Sequence, residues 1–450
     1  MNRFRKSTFL YLGLSCVLAS FVLAGPLALA DDWPQWRGLN RDGVWNESGV
    51  VGAFSTPQLK PVWRAEIANG YSGPTVADGR VYVTDRVTEP TERERVHAFD
   101  AATGEPLWTH DYACSYKGVS YPDGPRASVT IANGRAYSVG ALGHVRCLDA
   151  KSGALIWHKE PGVDYEIELP IWGLTAAPLV EGGLVIAQIG GRPDACIVAW
   201  DAKTGEERWR ALEDPTSYSA PIIIEQAGRR VLLCWTGANI VGLDPTSGET
   251  LWQHATEPSR IMVSIPTPVL EGEHLFLTSF YDGSFMFRLP KNELVVEEVW
   301  HRRGRNEKRT DALHSMIGTP LMQGDYVYGV DSYGQLRCLD AKTGDRIWED
   351  LTAVPEERWA TIHMVKNGEH VWMFNDRGEL IISKLSPEGF EEISRTKLIE
   401  PTAGQYTATS GQSDREEDAF SVAWSHPAFA NRHIFIRNDN ELICASLAAE

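Results

Sequence analysis

A nine-residue phrase occurs five times in this chain, and its regular recurrence constrains the fold more than any other feature. Each copy begins with Asp, has Thr or Ser at its fourth position and Gly at its fifth, and ends with Trp. The copies are Asp100–Trp108, Asp149–Trp157, Asp201–Trp209, Asp244–Trp252 and Asp340–Trp348. Recurrence in a fixed pattern indicates a repeat protein, in which each unit covers an apolar face of the next.

Each repeat unit contains four short runs rich in Val, Ile, Leu, Tyr and Trp. In the second unit, the first two runs flank the turn Asn133-Gly134, and the last two flank the phrase Asp149–Trp157. This pattern is typical of antiparallel strands joined by tight hairpins, and no comparable segment has helical periodicity. One four-stranded sheet cannot bury both faces alone, but a radial array can. The sequence therefore predicts an all-β fold, a β-propeller of four-stranded antiparallel blades.

The two ends of the chain are predicted to share one blade. Trp63 lies in a strand pattern before any complete unit, whereas the C-terminal end has three strand patterns and no fourth. Joining them closes the ring and leaves no open sheet edge. The units between them begin near Gly73, Arg126, Leu174, Ser219, Ile265, Ile317 and Thr361. We predict eight blades, with seven as the alternative if the weak seventh unit is not a blade.

Turn and packing chemistry explains the phrase itself. Gly supplies the positive φ angle that the hairpin needs, and the Asp and Thr or Ser side chains can accept hydrogen bonds from free backbone amides. The Trp, on the outermost strand, has the size and shape to fill the space between neighbouring sheets. The fifth and seventh units lack the Asp and Gly. We expect looser hairpins there.

The N-terminal residues are predicted to direct export. Residues 1–30 have three basic side chains, a long apolar run and a small-residue cleavage site, as in a signal peptide. Lipidation at Cys16 stays open. Residues 31–450 are predicted to form a single propeller domain with an N-terminal arm at 31–60, and no later stretch is apolar enough to span a membrane. The formal net charge of −17 argues against a nucleic-acid partner.

The cysteines do not indicate a disulfide framework. Cys147 and Cys338 occupy equivalent positions in different units, too far apart to bridge, and Cys196, Cys234 and Cys444 also lie in apolar strand patterns. No two cysteines are adjacent, and no Cys-x-x-Cys occurs. We expect these five to be buried thiols, and Cys114, which lies in a connection, to be the one plausible free thiol.

The repeated phrase, with Trp on the outer strand and a blade shared by both ends, resembles the repeat of the pyrroloquinoline-quinone (PQQ)-like propeller family. The resemblance covers essentially the whole chain after residue 30, and the segment from Asp31 to Val44 is also similar to that of secreted bacterial proteins with this repeat. It implies one of two kinds of protein. Some members are quinone-dependent alcohol or sugar dehydrogenases that hold PQQ and calcium in the propeller funnel. Others are non-catalytic scaffolds, such as the propeller lipoprotein of the outer-membrane barrel assembly machinery.

Several features that the dehydrogenases typically have are absent from this sequence. There are no adjacent cysteines to form the disulfide that covers the quinone, and the calcium-binding Glu, Asn and Asp cannot be matched to residues here. Gly-rich phosphate loops, His-Glu-x-x-His and Gly-x-Ser-x-Gly are also absent. We therefore assign no catalytic residue and no metal ligand. PQQ with calcium is implied by the resemblance alone, and the cofactor is otherwise unknown.

A candidate ligand-binding rim can still be named. One aromatic or basic residue stands just before nearly every inner strand, where connections reach the axial channel: Tyr71, Arg126, Trp172, Tyr218, His314, Trp359 and Trp424. Such a ring could stack a flat anionic molecule or a sugar. The alternative is that these side chains pack between blades and contact no ligand. His314 is either a general base or a structural histidine.

The leading functional hypothesis is an exported propeller that acts as a non-catalytic binding or scaffolding module, with a protein partner or a small anionic ligand. A PQQ-dependent alcohol or sugar dehydrogenase is the alternative, and carbohydrate binding is the weaker third hypothesis. The connection His301–Leu313 concentrates basic residues in an acidic protein. It is either a solvated loop or a docking site for an acidic partner.

Overall fold

The computed structural model describes Met1, residues 32–404 and residues 421–449. The predicted signal peptide, apart from Met1, lies outside these residues, and so does Cys16. Eight four-stranded antiparallel sheets form the fold, which confirms the predicted all-β class and blade count. Helix in the described part is limited to Pro161–Asp164. No helix there is long and apolar enough to cross a membrane.

The blades are numbered in chain order, and within each the strands are given from the channel outward. Blades 1 to 4 consist of Thr75–Ala77, Arg80–Val87, Arg93–Asp100 and Pro106–Ala113; Thr130–Ala132, Arg135–Val139, Val145–Asp149 and Leu155–Lys159; Leu179–Glu181, Leu184–Gly191, Ala195–Asp201 and Glu207–Ala211; and Ile222–Gln226, Arg229–Trp235, Asn239–Leu243 and Thr250–Ala255. Blades 5 to 8 consist of Val269–Glu271, His274–Ser279, Gly283–Arg288 and Glu297–Arg302; Leu321–Gln323, Tyr326–Val330, Leu336–Asp340 and Arg346–Asp350; Ile362–Asn367, His370–Asn375, Glu379–Ser386 and Gly389–Lys397; and Ala428–Ala430, His433–Arg437, Glu441–Ser446 and Trp63–Glu66. A two-stranded ribbon pairs Ala403–Gly404 with Ser421–Val422.

Blade 8 joins the two ends of the chain as the sequence predicts. The N-terminal strand Trp63–Glu66 is antiparallel to Glu441–Ser446, with Trp63 opposite Cys444 and Glu66 opposite Glu441. This pairing satisfies the outer edge of the C-terminal strands and closes the ring.

The core is divided into apolar layers between neighbouring blades. One cluster joins Tyr137 and Val139 of blade 2 to Val185 and Ala187 of blade 3, and similar clusters lie at the other blade interfaces. Each sheet therefore buries its faces against its neighbours, because a single sheet of this size has no other way to exclude water from them. All six cysteines of the described residues are buried and free.

The phrase forms the outer hairpin of one blade and also the seat for the Trp of the preceding blade. In blade 2, Asp149 Oδ1 accepts hydrogen bonds from the Ser152 N–H and hydroxyl, at 2.8 and 2.7 Å. The indole N–H of Trp157 then donates to the carbonyl of Ala202, in the phrase of blade 3, at 3.1 Å. The same contact recurs where Trp63, Trp108, Trp209 and Trp300 meet the next phrase.

The two units without a complete phrase differ from each other. In blade 5, eight residues separate Arg288 from Glu297, so this outer hairpin is longer than those built on the phrase. In blade 7, only Pro387 and Glu388 lie between the outer strands. The expectation of a looser hairpin was therefore wrong for blade 7, where a two-residue turn joins two long strands directly.

Candidate functional site

The N-terminal arm closes one end of the axial channel, a role that the sequence analysis did not assign to it. Trp33 exchanges two backbone hydrogen bonds with Val76 of blade 1, at 2.9 and 2.8 Å. Further along, the Trp45 amide donates to the carbonyl of Lys366 in blade 7 at 2.8 Å. Between these two anchors the arm crosses the channel, so the channel is not an open pore.

Two side chains of the arm fix it against the inner strands. Arg41 is buried and donates to the carbonyls of Ala177, Pro178 and Pro221, which lie just before the inner strands of blades 3 and 4. Burial lowers the pKa of Arg41 to about 9. The Trp36 indole N–H donates to Thr267 Oγ1 at 2.8 Å. Sequence patterns could not reveal this role, because the arm lies outside the repeat.

Above the arm, the channel opens into a cavity of about 1020 Å³, counting the space at its mouth. Its lining is mostly aromatic and aliphatic, with a few polar groups: Trp36, Tyr71, Tyr121, Arg126, Ser128, Trp172, Thr175, Ala177, Tyr218, Ala220, Ile265, Met316, Ile317, Trp359, His363, Trp424 and His426. A concave, largely apolar site with few polar groups is typical of small-molecule binding sites.

The structure brings six of the seven predicted rim residues to this one cavity: Tyr71, Arg126, Trp172, Tyr218, Trp359 and Trp424. His314 is the exception and is not among the lining residues. It is 1 % exposed, with Nδ1 3.0 Å from the carbonyl of Phe280 and Nε2 accepting from the Gly304 amide at 3.2 Å. Both ring nitrogens are thus used by the backbone, and His314 has a structural position instead of a place on the rim.

The aromatic side chains touch one another around the cavity. Trp172 and Tyr218 lie 5.1 Å apart between ring centroids, and Tyr121 contacts both Trp424, at 6.0 Å, and Trp359, at 6.4 Å. We call Tyr71, Tyr121, Trp172, Tyr218, Trp359 and Trp424 the aromatic collar. Tyr121 was missed from sequence because it lies inside a connection, away from the position just before an inner strand.

Arg126 is the cationic group of the cavity, and its position is fixed by the loop before it. The guanidinium donates to the carbonyls of Ser120, at 3.0 Å, and Tyr121, at 2.6 Å, and also to that of Gly124. It lies 5.2 Å from the ring centroid of Tyr71. These bonds hold a positive charge beside the aromatic collar without an ion pair to neutralise it in the described residues.

The floor of the cavity contains two histidines that are neutral at pH 7. Burial lowers the pKa of His363 to about 4 and that of His426 to about 3. His363 Nε2 is 2.9 Å from the carbonyl of Trp424, and His426 Nε2 is 2.6 Å from the Ser128 hydroxyl. His363 therefore links blade 7 to the connection before blade 8, and His426 links that connection to the one before blade 2.

The cavity does not fit the calcium that the resemblance implies. Calcium takes six to eight oxygen ligands, with carboxylates prominent among them. No Asp, Glu or Asn lines the cavity within the described residues, and its polar groups are hydroxyls, imidazoles and one guanidinium. In this cavity a calcium-bound quinone would find no carboxylate to bind its metal. Its negative charge would be neutralised by Arg126 alone among the described lining residues.

The basic connection His301–Leu313 lies outside the cavity, and its first two arginines pair with nearby carboxylates. Arg302 contacts Asp311 at 2.8 Å and Asp345 at 2.6 Å, and Arg303 lies 3.7 Å from Asp282. This pairing involves two of the five basic side chains of the connection. Whether the remainder docks a partner stays a hypothesis.

Fold and site together define a β-propeller with a ligand-sized cavity on its axis, closed below by the arm. The sequence profile of the family described as outer membrane protein assembly factor BamB matches residues 47–161 and 92–350. The chain belongs to this family of PQQ-like β-propeller proteins.

The relatives that resemble the chain include both a dehydrogenase and an assembly factor. Quinohemoprotein alcohol dehydrogenase of Comamonas testosteroni is 28% identical over 372 residues, which cover 79% of this chain and 47% of that protein. BamB of Burkholderia pseudomallei is 25% identical over 338 residues, covering 71% of this chain and 70% of that protein. The chain thus spans about half the length of the Comamonas dehydrogenase that it matches.

Solved structures show the same fold at low identity. BamB of Moraxella catarrhalis superposes with a TM-score of 0.56 and 15% identity, covering 86% of this chain and 99% of that one. A europium-containing methanol dehydrogenase gives a TM-score of 0.64 at 12% identity, covering 91% and 90% of the two chains. The propeller is therefore shared with both enzymes and assembly factors, and it does not discriminate between them.

Proposed function

We propose that this protein is an exported, non-catalytic binding module whose axial cavity holds a small, flat, anionic molecule. The observation that carries the proposal is the aromatic collar around a cavity whose one charged lining residue, among those that the structure describes, is Arg126. Aromatic faces stack on flat molecules, and the guanidinium attracts one carboxylate or similar anion.

The chemistry of the cavity favours binding over catalysis. Hydride or proton abstraction from an alcohol needs a base that can accept a proton near pH 7. His363 and His426 have pKa values well below this range, and no described carboxylate lines the cavity. His314, the other histidine considered for this role, is held by backbone groups elsewhere.

Titration of the purified protein with candidate ligands tests the proposal. We expect an aromatic monocarboxylate to quench tryptophan fluorescence with a saturable, calcium-independent isotherm. Trp172→Ala should weaken binding by about tenfold or more, corresponding to loss of roughly 1.5 kcal/mol of aromatic stacking. Ile171→Ala is the matched control, because this exposed neighbour does not line the cavity.

The same experiment includes the alternatives. Tight binding of PQQ with calcium, together with reduction of a dye by alcohols or sugars, would replace the proposal with a quinone-dependent dehydrogenase. Saturable binding of oligosaccharides alone would keep the non-catalytic module but change the ligand to a carbohydrate.

A protein-scaffolding role is a second candidate, favoured by the family match and by BamB of Burkholderia pseudomallei. The role in outer-membrane protein assembly that the name states is the role of that relative. For this chain, the candidate predicts co-purification of a defined outer-membrane assembly partner when the protein is cross-linked in its native cell. If the Trp172→Ala variant recovers the same partner in the same amount, the surface that binds the partner is distinct from the cavity.

A further inference from the structure

A buried group of metal-binding side chains lies outside the cavity, where blades 1 and 2 meet. Glu94 belongs to the third strand of blade 1, Cys114 follows the fourth strand directly, and His144 stands just before the third strand of blade 2. One ligand atom from each side chain lies within 4.8 Å of the other two. These residues come from two repeats, so no motif in the sequence connects them.

The distance between sulfur and nitrogen suits one tetrahedral ion. Cys114 Sγ lies 3.7 Å from His144 Nδ1. Zinc binds thiolate sulfur at about 2.3 Å and imidazole nitrogen at about 2.0 Å, so a tetrahedral angle separates these two ligand atoms by about 3.5 Å. An ion can therefore bind both atoms with a shift of a few tenths of an ångström.

A carboxylate fixes the orientation of the imidazole. His144 Nε2 lies 3.2 Å from Glu160 Oε2, and Glu160 is itself held by Arg146 at 2.7 Å. When Nε2–H donates to this carboxylate, the lone pair of Nδ1 faces Cys114. A carboxylate behind a ligating histidine is the usual second layer of a zinc site. Burial also lowers the pKa of His144, which favours the neutral ring that a metal requires.

Glu94 adds a buried negative charge. It is 1 % exposed, and its oxygens accept hydrogen bonds from the Tyr112 and Tyr116 hydroxyls and from the Ala141 amide. Within the described residues it forms no ion pair. A buried carboxylate without a cationic partner is costly, and a bound cation would offset that cost.

The site has a route to solvent and room for a fourth ligand. The His144 side chain is 19% exposed and that of Glu160 is 36% exposed, so the group opens to water beside the imidazole. Three protein ligands of sulfur, nitrogen and oxygen type leave the fourth tetrahedral position to water. This mixed set favours zinc over calcium or magnesium, which prefer oxygen ligands alone.

We propose that Glu94, Cys114 and His144 bind one Zn²⁺ ion between blades 1 and 2. In the metal-free protein the Cys114 thiol carries its proton at neutral pH, as an ordinary cysteine does. On binding, the sulfur–zinc bond replaces the S–H bond, and the proton leaves to solvent. Zinc uptake therefore releases one proton, and no oxidant or reductant is involved.

Calorimetry of the full exported chain, first treated with a chelator under reducing conditions, tests this site. We expect one Zn²⁺ per chain, and titrations in two buffers of different ionisation enthalpy should give close to one released proton. Cobalt should produce thiolate-to-metal charge-transfer absorption, a signal that a purely structural thiol would not give.

Variants distinguish this site from surface binding. Cys114→Ser and His144→Gln should lose the cobalt absorption and bind zinc at least about 100-fold more weakly, whereas Glu160→Gln should bind about tenfold more weakly. Cys234→Ser is the matched control, a thiol equally buried but in blade 4. Circular dichroism and urea midpoints verify folding of each variant.

Zinc affinity unchanged in both Cys114→Ser and His144→Gln would overturn the proposal, as would a wild-type protein that takes up no zinc. If Cys114→Ser does not fold, the comparison of cobalt absorption between the wild-type protein and His144→Gln still tests the proposal: equal absorption in the two would contradict it. None of these readouts depends on the axial cavity, so they are independent of the proposed function.

Discussion

Gly153 shows how a single residue carries the contact between two blades. Its φ is +72°, and a Cβ built at this position would lie 2.6 Å from the indole ring of Trp108 in the preceding blade. Gly134, in the inner hairpin of the same blade, has nearly the same φ, +71°, but nothing within 4 Å of such a Cβ. The two glycines therefore share a backbone requirement and differ in what they touch.

Substituting each of these glycines by Ala separates the two effects. We expect Gly134→Ala to lower the free energy of unfolding by about 1 kcal/mol, the cost of a left-handed backbone for a residue with a Cβ. Gly153→Ala should cost a further 1–3 kcal/mol, because Trp108 must move. Urea denaturation measures both values. Equal losses for the two variants would mean that the Trp seat is not important for stability.

At the scale of elements, the N-terminal arm connects several blades through a short segment of chain. It lies across the channel, forms backbone hydrogen bonds with blades 1 and 7, and places Arg41 among carbonyls just before the inner strands of blades 3 and 4. Carbonyls facing the channel axis have no neighbouring strand to pair with. The Arg41 guanidinium, with five N–H donors, satisfies several of them at once.

Removing this guanidinium should destabilise the propeller. For Arg41→Met, we expect the free energy of unfolding to fall by about 3 kcal/mol, because buried carbonyls of Ala177, Pro178 and Pro221 lose their donor. Arg64→Met is the control. Its side chain is 50% exposed and pairs with Glu441 on the surface, so the expected loss is below about 1 kcal/mol. An Arg41→Met protein as stable as wild type in urea would contradict this role of the arm.

For the whole molecule, the buried histidines below the aromatic collar make stability dependent on pH. His363 and His426 connect blade 7, blade 8 and the connection before blade 2, and their pKa values of about 4 and 3 lie below the ordinary value of 6.5. Below pH 6.5 these two histidines bind protons in the unfolded chain but stay neutral in the folded protein until the pH approaches their lowered pKa values. The contribution of these two histidines to stability is therefore complete above pH 6.5 and falls as pH decreases towards the folded pKa values.

The expected size of this effect can be tested with one variant. A shift from 6.5 to about 4 is worth about 3 kcal/mol for His363. His363→Gln should therefore flatten the decline in urea midpoint between pH 6.5 and 4. Asp376 acts in the opposite direction, because burial raises its pKa to about 6, so its contribution grows as pH falls from 6 to 4. A steep decline retained by His363→Gln would place the acid sensitivity elsewhere.

Much of the fold was predictable because it depends on local repeated chemistry. Alternating apolar runs gave the strands, Asp and Gly gave the hairpins, and the unpaired strand at Trp63 gave the ring closure. Six of the seven residues named from the position before each inner strand line the cavity, since the blades present that position to the axis, and their role in binding stays a prediction. His314 does not line the cavity, because its ring nitrogens are hydrogen-bonded to the backbone of Phe280 and Gly304.

The architecture follows from the repeated phrase, because each copy brings its own turn, strand pairing and outward Trp. The shape of the cavity, in contrast, depends on contacts between distant parts of the chain. The arm has no repeat partner, so its path across the channel depends on carbonyls brought together by four different blades. The group of Glu94, Cys114 and His144 likewise exists only once blades 1 and 2 are side by side, since distance along the chain carries no information about contact between sheets.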